Sequence, residues 1–107
     1  MKKEMLKFRA VGTTFGERQG FLAYVSKFSN KYVTLRREPK NTADVNAIKI
    51  ICHVPETGKH VQIGYVPKTI AKTLAPKIDN GARVWCKNCT DLGGRGLTRG
   101  MEITIAI

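Results

Sequence analysis

The side chains best suited to chemistry fall in two short segments. Residues 36–48 read Arg-Arg-Glu-Pro-Lys-Asn-Thr-Ala-Asp-Val-Asn-Ala-Ile, and residues 63–68 read Ile-Gly-Tyr-Val-Pro-Lys. Arg36 and Arg37 are cations at a strand end, and their alternation lets only one of them face a binding side. The other is expected to be a solvated charge. Pro39 keeps the residue before it extended and stops ladder pairing. Asn41, Asp44 and Asn46 carry short polar side chains that close turns on their own backbone. Asp44 therefore has two readings: a turn carboxylate that fixes the loop, or an acceptor for a ligand. Pro67 suits the first position of a helix, which sets Tyr65 and Lys68 where a strand hands over to a helix. Loops at such element ends carry function on a rigid scaffold.

Two other groups could act. Residues 91–100, with four glycines, read as a flexible hairpin tip between the last two strands. Arg95 and Arg99 could clamp phosphates there, or simply decorate a mobile basic loop. Cys86 and Cys89 have metal-ligand spacing, and Cys52, His53 or His60 could complete a tetrahedron around zinc. On a regular strand, however, Cys86 and Cys89 would point to opposite faces. Structural cysteines and no cofactor are the expectation. No nucleophile–base pair and no paired-carboxylate motif can be assembled, so no catalytic residue and no enzyme activity are expected.

Composition narrows the partners. Nineteen Lys and Arg against eight Asp and Glu give a net charge of +11, spread from Lys2 to Arg99 rather than gathered in a tail. A folded surface with that imbalance attracts polyanions, nucleic acid above all. Membrane binding is not expected, because no apolar run is long enough to span and no amphipathic basic helix is visible. Three cysteines and no export signal fit a reducing, cytoplasmic setting. At 107 residues, one domain with a modest core is expected.

The elements that must position these residues follow from periodicity. Strands are expected over residues 5–12, 21–28, 32–37, 47–54, 60–65, 82–90 and 101–107. The second and third would be joined by a turn at 29–31. A helix is expected over 67–78, with Ile70, Leu74 and Ile78 on one stripe and Pro76 kinking or splitting it. This is a mainly β, α+β chain with one or two short helices. The expected architecture is a small closed or partly closed β-barrel of about six strands, with the helix between strands five and six.

The same segments resemble the HIRAN domain, a DNA-binding module of helicase-like remodellers. The motifs that carry the resemblance are Val11-Gly12, Arg37-Glu38-Pro39, Asn41, Asp44, Asn46-Ala47-Ile48, Ile63-Gly64-Tyr65 and Leu74-Ala75-Pro76, in that order across residues 5–86. The resemblance implies an OB-like barrel that binds single-stranded DNA and grips its free 3′ end, in a repair or replication setting. It places Asp44 at the 3′-hydroxyl, Phe15 as a stacking aromatic, and Tyr65 and Lys68 beside the strand's phosphates. Core or barrel-lip packing is the competing reading for Phe15 and Tyr65. Two positions depart from the family pattern: Ala43 stands where a second aromatic is usual, and Thr14 where an Arg is. A stand-alone module would leave any motor to a separate helicase or repair protein. The alternative of another class is a protein-interaction module that meets an acidic partner.

Overall fold

The computed structural model describes residues 4–107, in which two antiparallel three-stranded sheets enclose the core. In chain order the elements are β1 (Met5–Arg9), α1 (Arg18–Val25), β2 (Tyr32–Arg37), β3 (Ile48–Val54), β4 (Lys59–Tyr65), α2 (Lys68–Asp79), β5 (Trp85–Gly94) and β6 (Leu97–Ala106). One sheet runs β1-β6-β5 and the other β2-β3-β4. Alternation decides what goes inside: Ile48, Ile50, Cys52 and Val54 of β3 and Met101, Ile103 and Ile105 of β6 are all buried in one cluster. Leu22 and Val25 of α1 and Ala71, Leu74 and Ala75 of α2 complete it.

The sheets do not close into a barrel. They touch through one bridge, where Val11 and Tyr65 exchange backbone hydrogen bonds of 2.9 Å each way. Gly64 allows that approach, since a Cβ there would lie 2.6 Å from the Val11 carbonyl oxygen. Gly12 then turns the chain away with φ +66°, and the ladder goes no further. At the other seam β2 and β5 lie side by side without joining one ladder.

Residues 21–28, expected as a strand, belong instead to α1 and the turn after it. The run Phe-Leu-Ala-Tyr-Val is short and apolar, a pattern that strand and buried helix share. Burial settled it: Leu22 and Val25, three apart, face the core, and Tyr24 meets Phe28 across one turn at 5.2 Å between ring centroids. The long helix therefore falls between the fourth and fifth strands, not the fifth and sixth. It runs unbroken through Pro76, which sits in its last turn, and ends where Gly81, at φ +93°, donates to Ile78.

Residues 91–100 are not a loose tip. They are the paired ends of β5 and β6, turned by Arg95 and Gly96 alone, at φ +52° and +87°. Two positive φ values in a two-residue connection match the twist of the strands they join.

Candidate nucleic-acid interface

Asp44 and Lys68 line the same pocket. It has a volume of about 230 Å³, and Val11, Asn41, Ala43, Ala47, Tyr65 and Val66 complete its wall. A second depression of about 240 Å³ adjoins it, formed by Asp44, Asn46, Lys68, Thr69 and Lys72. The two share Asp44 and Lys68, so together they make one groove across the start of α2.

The loop of residues 38–47 presents Asp44 by local hydrogen bonding. Asn41 Oδ1 accepts from the backbone N–H groups of Ala43 and Asp44 at 2.9 and 3.0 Å. Asp44 Oδ1 accepts from Asn46 N–H at 2.9 Å. Asp44 is thus a turn residue, and it is also half-buried on the groove with no salt bridge among the described residues. Five other acidic residues, Glu4, Glu38, Asp79, Asp91 and Glu102, are each paired with a Lys or Arg.

Lys68 opens α2, whose first turn holds no acidic side chain and whose Pro67 cap offers no side-chain acceptor. The first backbone N–H groups of a helix lack partners within it, so this end favours an anion. Lys72 lies one turn further along the exposed side.

Glu38, in the segment whose sequence features pointed to Pro39, organises the pocket from behind. Its carboxylate meets Lys49 at 2.9 Å, Asn41 Nδ2 at 2.6 Å and the Tyr65 hydroxyl at 3.0 Å. The Lys49 ammonium, then Asn41, holds the carboxyl below its ordinary value of 4.5 against a smaller opposing effect of burial, and Tyr65 adds to the lowering. Folding therefore binds Glu38 in its charged form. The stability this confers is complete above pH 4.5 and is lost as pH falls below it. Thermal melts should show the wild type losing stability more steeply than Glu38→Gln between about pH 5 and pH 3; parallel curves would remove Glu38 from this role.

Arg18, which the sequence did not single out, stands at the rim. Its guanidinium lies 5.2 Å from the Tyr65 ring and 5.8 Å from the Phe15 ring, and it donates to the Gly12 carbonyl at 2.7 Å. It brings a guanidinium to the side where Thr14 has none. Only the folding of residues 18–25 as a helix aims it there. Phe15 is 71% exposed beside it, and Ala43 leaves the pocket wall open.

Other expected site residues stand elsewhere. Arg37 faces inward and is 12% exposed; it donates to Asp79 at 2.9 and 3.2 Å and to the carbonyls of Ala47 and Val45 at 2.7 and 2.9 Å. It is a clasp between the 38–47 loop and the end of α2 rather than a solvated charge. Arg36 is exposed on the outer face of β2. Arg95 is exposed at the hairpin turn, and Arg99 donates to Ser26 Oγ at 3.2 Å while its backbone is held by Gln19.

The cysteines correct one expectation. A register shift between Cys86 and Asn88 adds a residue to β5, so Cys86 and Cys89 pair with Ile105 and Ile103 and pack on the core from the same face. The Cys89 thiol donates to the Lys31 carbonyl at 3.6 Å, and its closeness to Cys86 pulls the Cys86 thiol down to about 6 and pushes that of Cys89 up. Burial raises Cys52 to about 11. His53 points outward from the next position of β3, away from Cys52. Among the described residues no three His, Cys, Asp or Glu gather as a metal cluster, and no helix is long and apolar enough to cross a membrane.

Comparison with known proteins places the fold and the family. The chain superposes on the crystal structure of the HIRAN domain of human HLTF with a TM-score of 0.60, covering 95% of this chain and 73% of that one at 24% identity. It is 37% identical over 57 residues to a Fanconi-associated nuclease 1 homolog of Oryza sativa subsp. japonica, a stretch that is 53% of this chain and 6% of that protein. The HIRAN domain model matches residues 3–106. The chain belongs to the HIRAN domain family.

Proposed function

We propose that this chain is a non-catalytic module that captures the free 3′ end of single-stranded DNA in the groove between the 38–47 loop and the start of α2. HIRAN domains are in general nucleic-acid-binding modules, and the basic surface suits such a partner. The observation that carries the finer reading is the joint lining of one groove by Asp44 and Lys68. A terminal hydroxyl donates a hydrogen bond, which a carboxylate accepts. The next phosphate needs a cation and backbone N–H groups, which Lys68 and the first turn of α2 offer. Tyr65 and Phe15, with Arg18 between them, offer flat faces for the last bases.

Salt tests the phosphate contacts. If Lys68, Lys72 and Arg18 each neutralise one phosphate, the affinity for a fluorescent oligonucleotide falls with a log–log slope of about −2. Raising salt from 50 to 300 mM then weakens binding about 40-fold. Lys68→Ala should make that slope shallower by about 0.7. Equal affinity at both salt concentrations is the outcome that excludes this mode.

A further inference from the structure

A row of flat rings lies on the outer face of the β2-β3-β4 sheet, and no expectation from the sequence used it. Tyr32 stacks on His53 with ring centroids 4.8 Å apart and planes 3° from parallel, and His53 stacks on His60 at 5.6 Å and 28°. The pairing makes the row inevitable: Tyr32 faces His53 across β2 and β3, and His53 faces His60 across β3 and β4. Thr34 Oγ1 holds His53 Nε2 at 2.7 Å, which fixes the middle ring. Tyr32 and His60 at the two ends are exposed. Burial first, then His60 and Arg36, keep the His53 imidazole below its ordinary value, so at neutral pH it is an uncharged ring.

The row and the groove share one sheet face, with the Ile51–Gln62 rung between them. Tyr65 lines the pocket and pairs with Lys49, two rungs before His53 and His60 on the same outward face of β3 and β4. Four residues of strand separate Lys49 from His53, about 13 Å at ~3.3 Å per residue. That is the length of about four stacked nucleotides at ~3.4 Å each. Arg36, opposite Lys49 in the register, places an exposed cation along the way. His53 is covered on both faces by its neighbours, so the exposed end rings Tyr32 and His60 are the ones left to stack on bases. Cations beside such rings are what a single strand needs from a protein surface.

We infer that the Tyr32–His53–His60 row is a second base-stacking site, over which a single strand runs after its 3′ end enters the Asp44–Lys68 groove. The inference rests on the end-capture reading for the polarity of the strand. The row itself would bind any single strand long enough to reach it.

Two oligonucleotides separate the sites: a thymidine trimer, which fills the groove alone, and a thymidine decamer, which reaches the row, both with a free 3′-hydroxyl. The wild type should bind the decamer about tenfold or more tightly than the trimer. Tyr32→Ala and His60→Ala should each weaken the decamer about fivefold or more and leave the trimer unchanged. A covalently closed thymidine circle, which has no end, should still shift the ring-proton resonances of His53 and His60. Unchanged decamer affinity in both variants, with no ring shift, overturns the second site and leaves the groove standing. Ring shifts on the circle with no trimer binding at all would uphold the row and remove end capture. Equal weakening of both lengths, or the same ring shifts from a polyglutamate peptide at equal affinity, would overturn the inference.

Discussion

Asp44→Asn should abolish the preference for a 3′-hydroxyl over a 3′-phosphate while the loop keeps its shape. The amide oxygen of Asn can still accept from Asn46 N–H, so the turn that Asp44 Oδ1 closes at 2.9 Å survives. What changes is the rest of the group: a negative acceptor becomes a neutral amide whose N–H₂ faces the groove. A hydrogen bond to a charged partner contributes about 1.5–3 kcal/mol, so affinity for a 3′-hydroxyl strand should fall about 10- to 150-fold. A 3′-phosphate strand should bind the variant as well as the wild type or better, because the repelling carboxylate is gone. Direct titration of both strands against both proteins gives the ratio. A ratio that does not move reduces Asp44 to its turn.

Arg37→Ala should destabilise the domain far more than the same change at its neighbour Arg36. The guanidinium is mostly enclosed and holds two backbone carbonyls of the loop as well as Asp79. Asp79 is 52% exposed, so the ion pair itself adds little. The larger cost is the loss of the charged hydrogen bonds to the Ala47 and Val45 carbonyls, of which Ala47 keeps the Glu38 N–H, about 2 kcal/mol in all. For a domain of this size that lowers Tm by about 8–16 °C. Arg36→Ala, one residue away on the exposed side, should leave Tm within about 4 °C. Melting both variants side by side decides it, and equal Tm values would show that Arg37 clasps nothing of consequence.

That contrast between neighbours shows where the sequence was legible. The turn chemistry of Asn41, Asp44 and Asn46 and the helix start after Pro67 are local, set by side chains acting on their own backbone, and both hold in the structure. These two features place Asp44 and Lys68, so most of the candidate groove could be read from the chain. Val33 and Leu35 already set Arg37 on the inward face of β2 by alternation, but that the 38–47 loop and the end of α2 would enclose its guanidinium is tertiary. The run at residues 21–25 fitted a strand as well as a helix, and the helical answer alone brings Arg18 to the pocket rim. The register shift after Cys86 is tertiary too: it turned two cysteines expected on opposite faces onto one. Glu38 lay inside the motif that pointed to the site, but its ties to Lys49 and Tyr65 cross three strands and leave no local trace. The stacked row at Tyr32, His53 and His60 needed the register of two strand pairs before it existed as a feature.

The central claim is that this surface recognises the end of a strand and not merely its charge. The most direct test is the affinity of the wild-type protein for one thymidine sequence prepared three ways: with a free 3′-hydroxyl, with a 3′-phosphate, and closed into a circle. The account predicts that the 3′-hydroxyl form binds at least about tenfold more tightly than the other two at the same salt. Equal affinity for all three would contradict it.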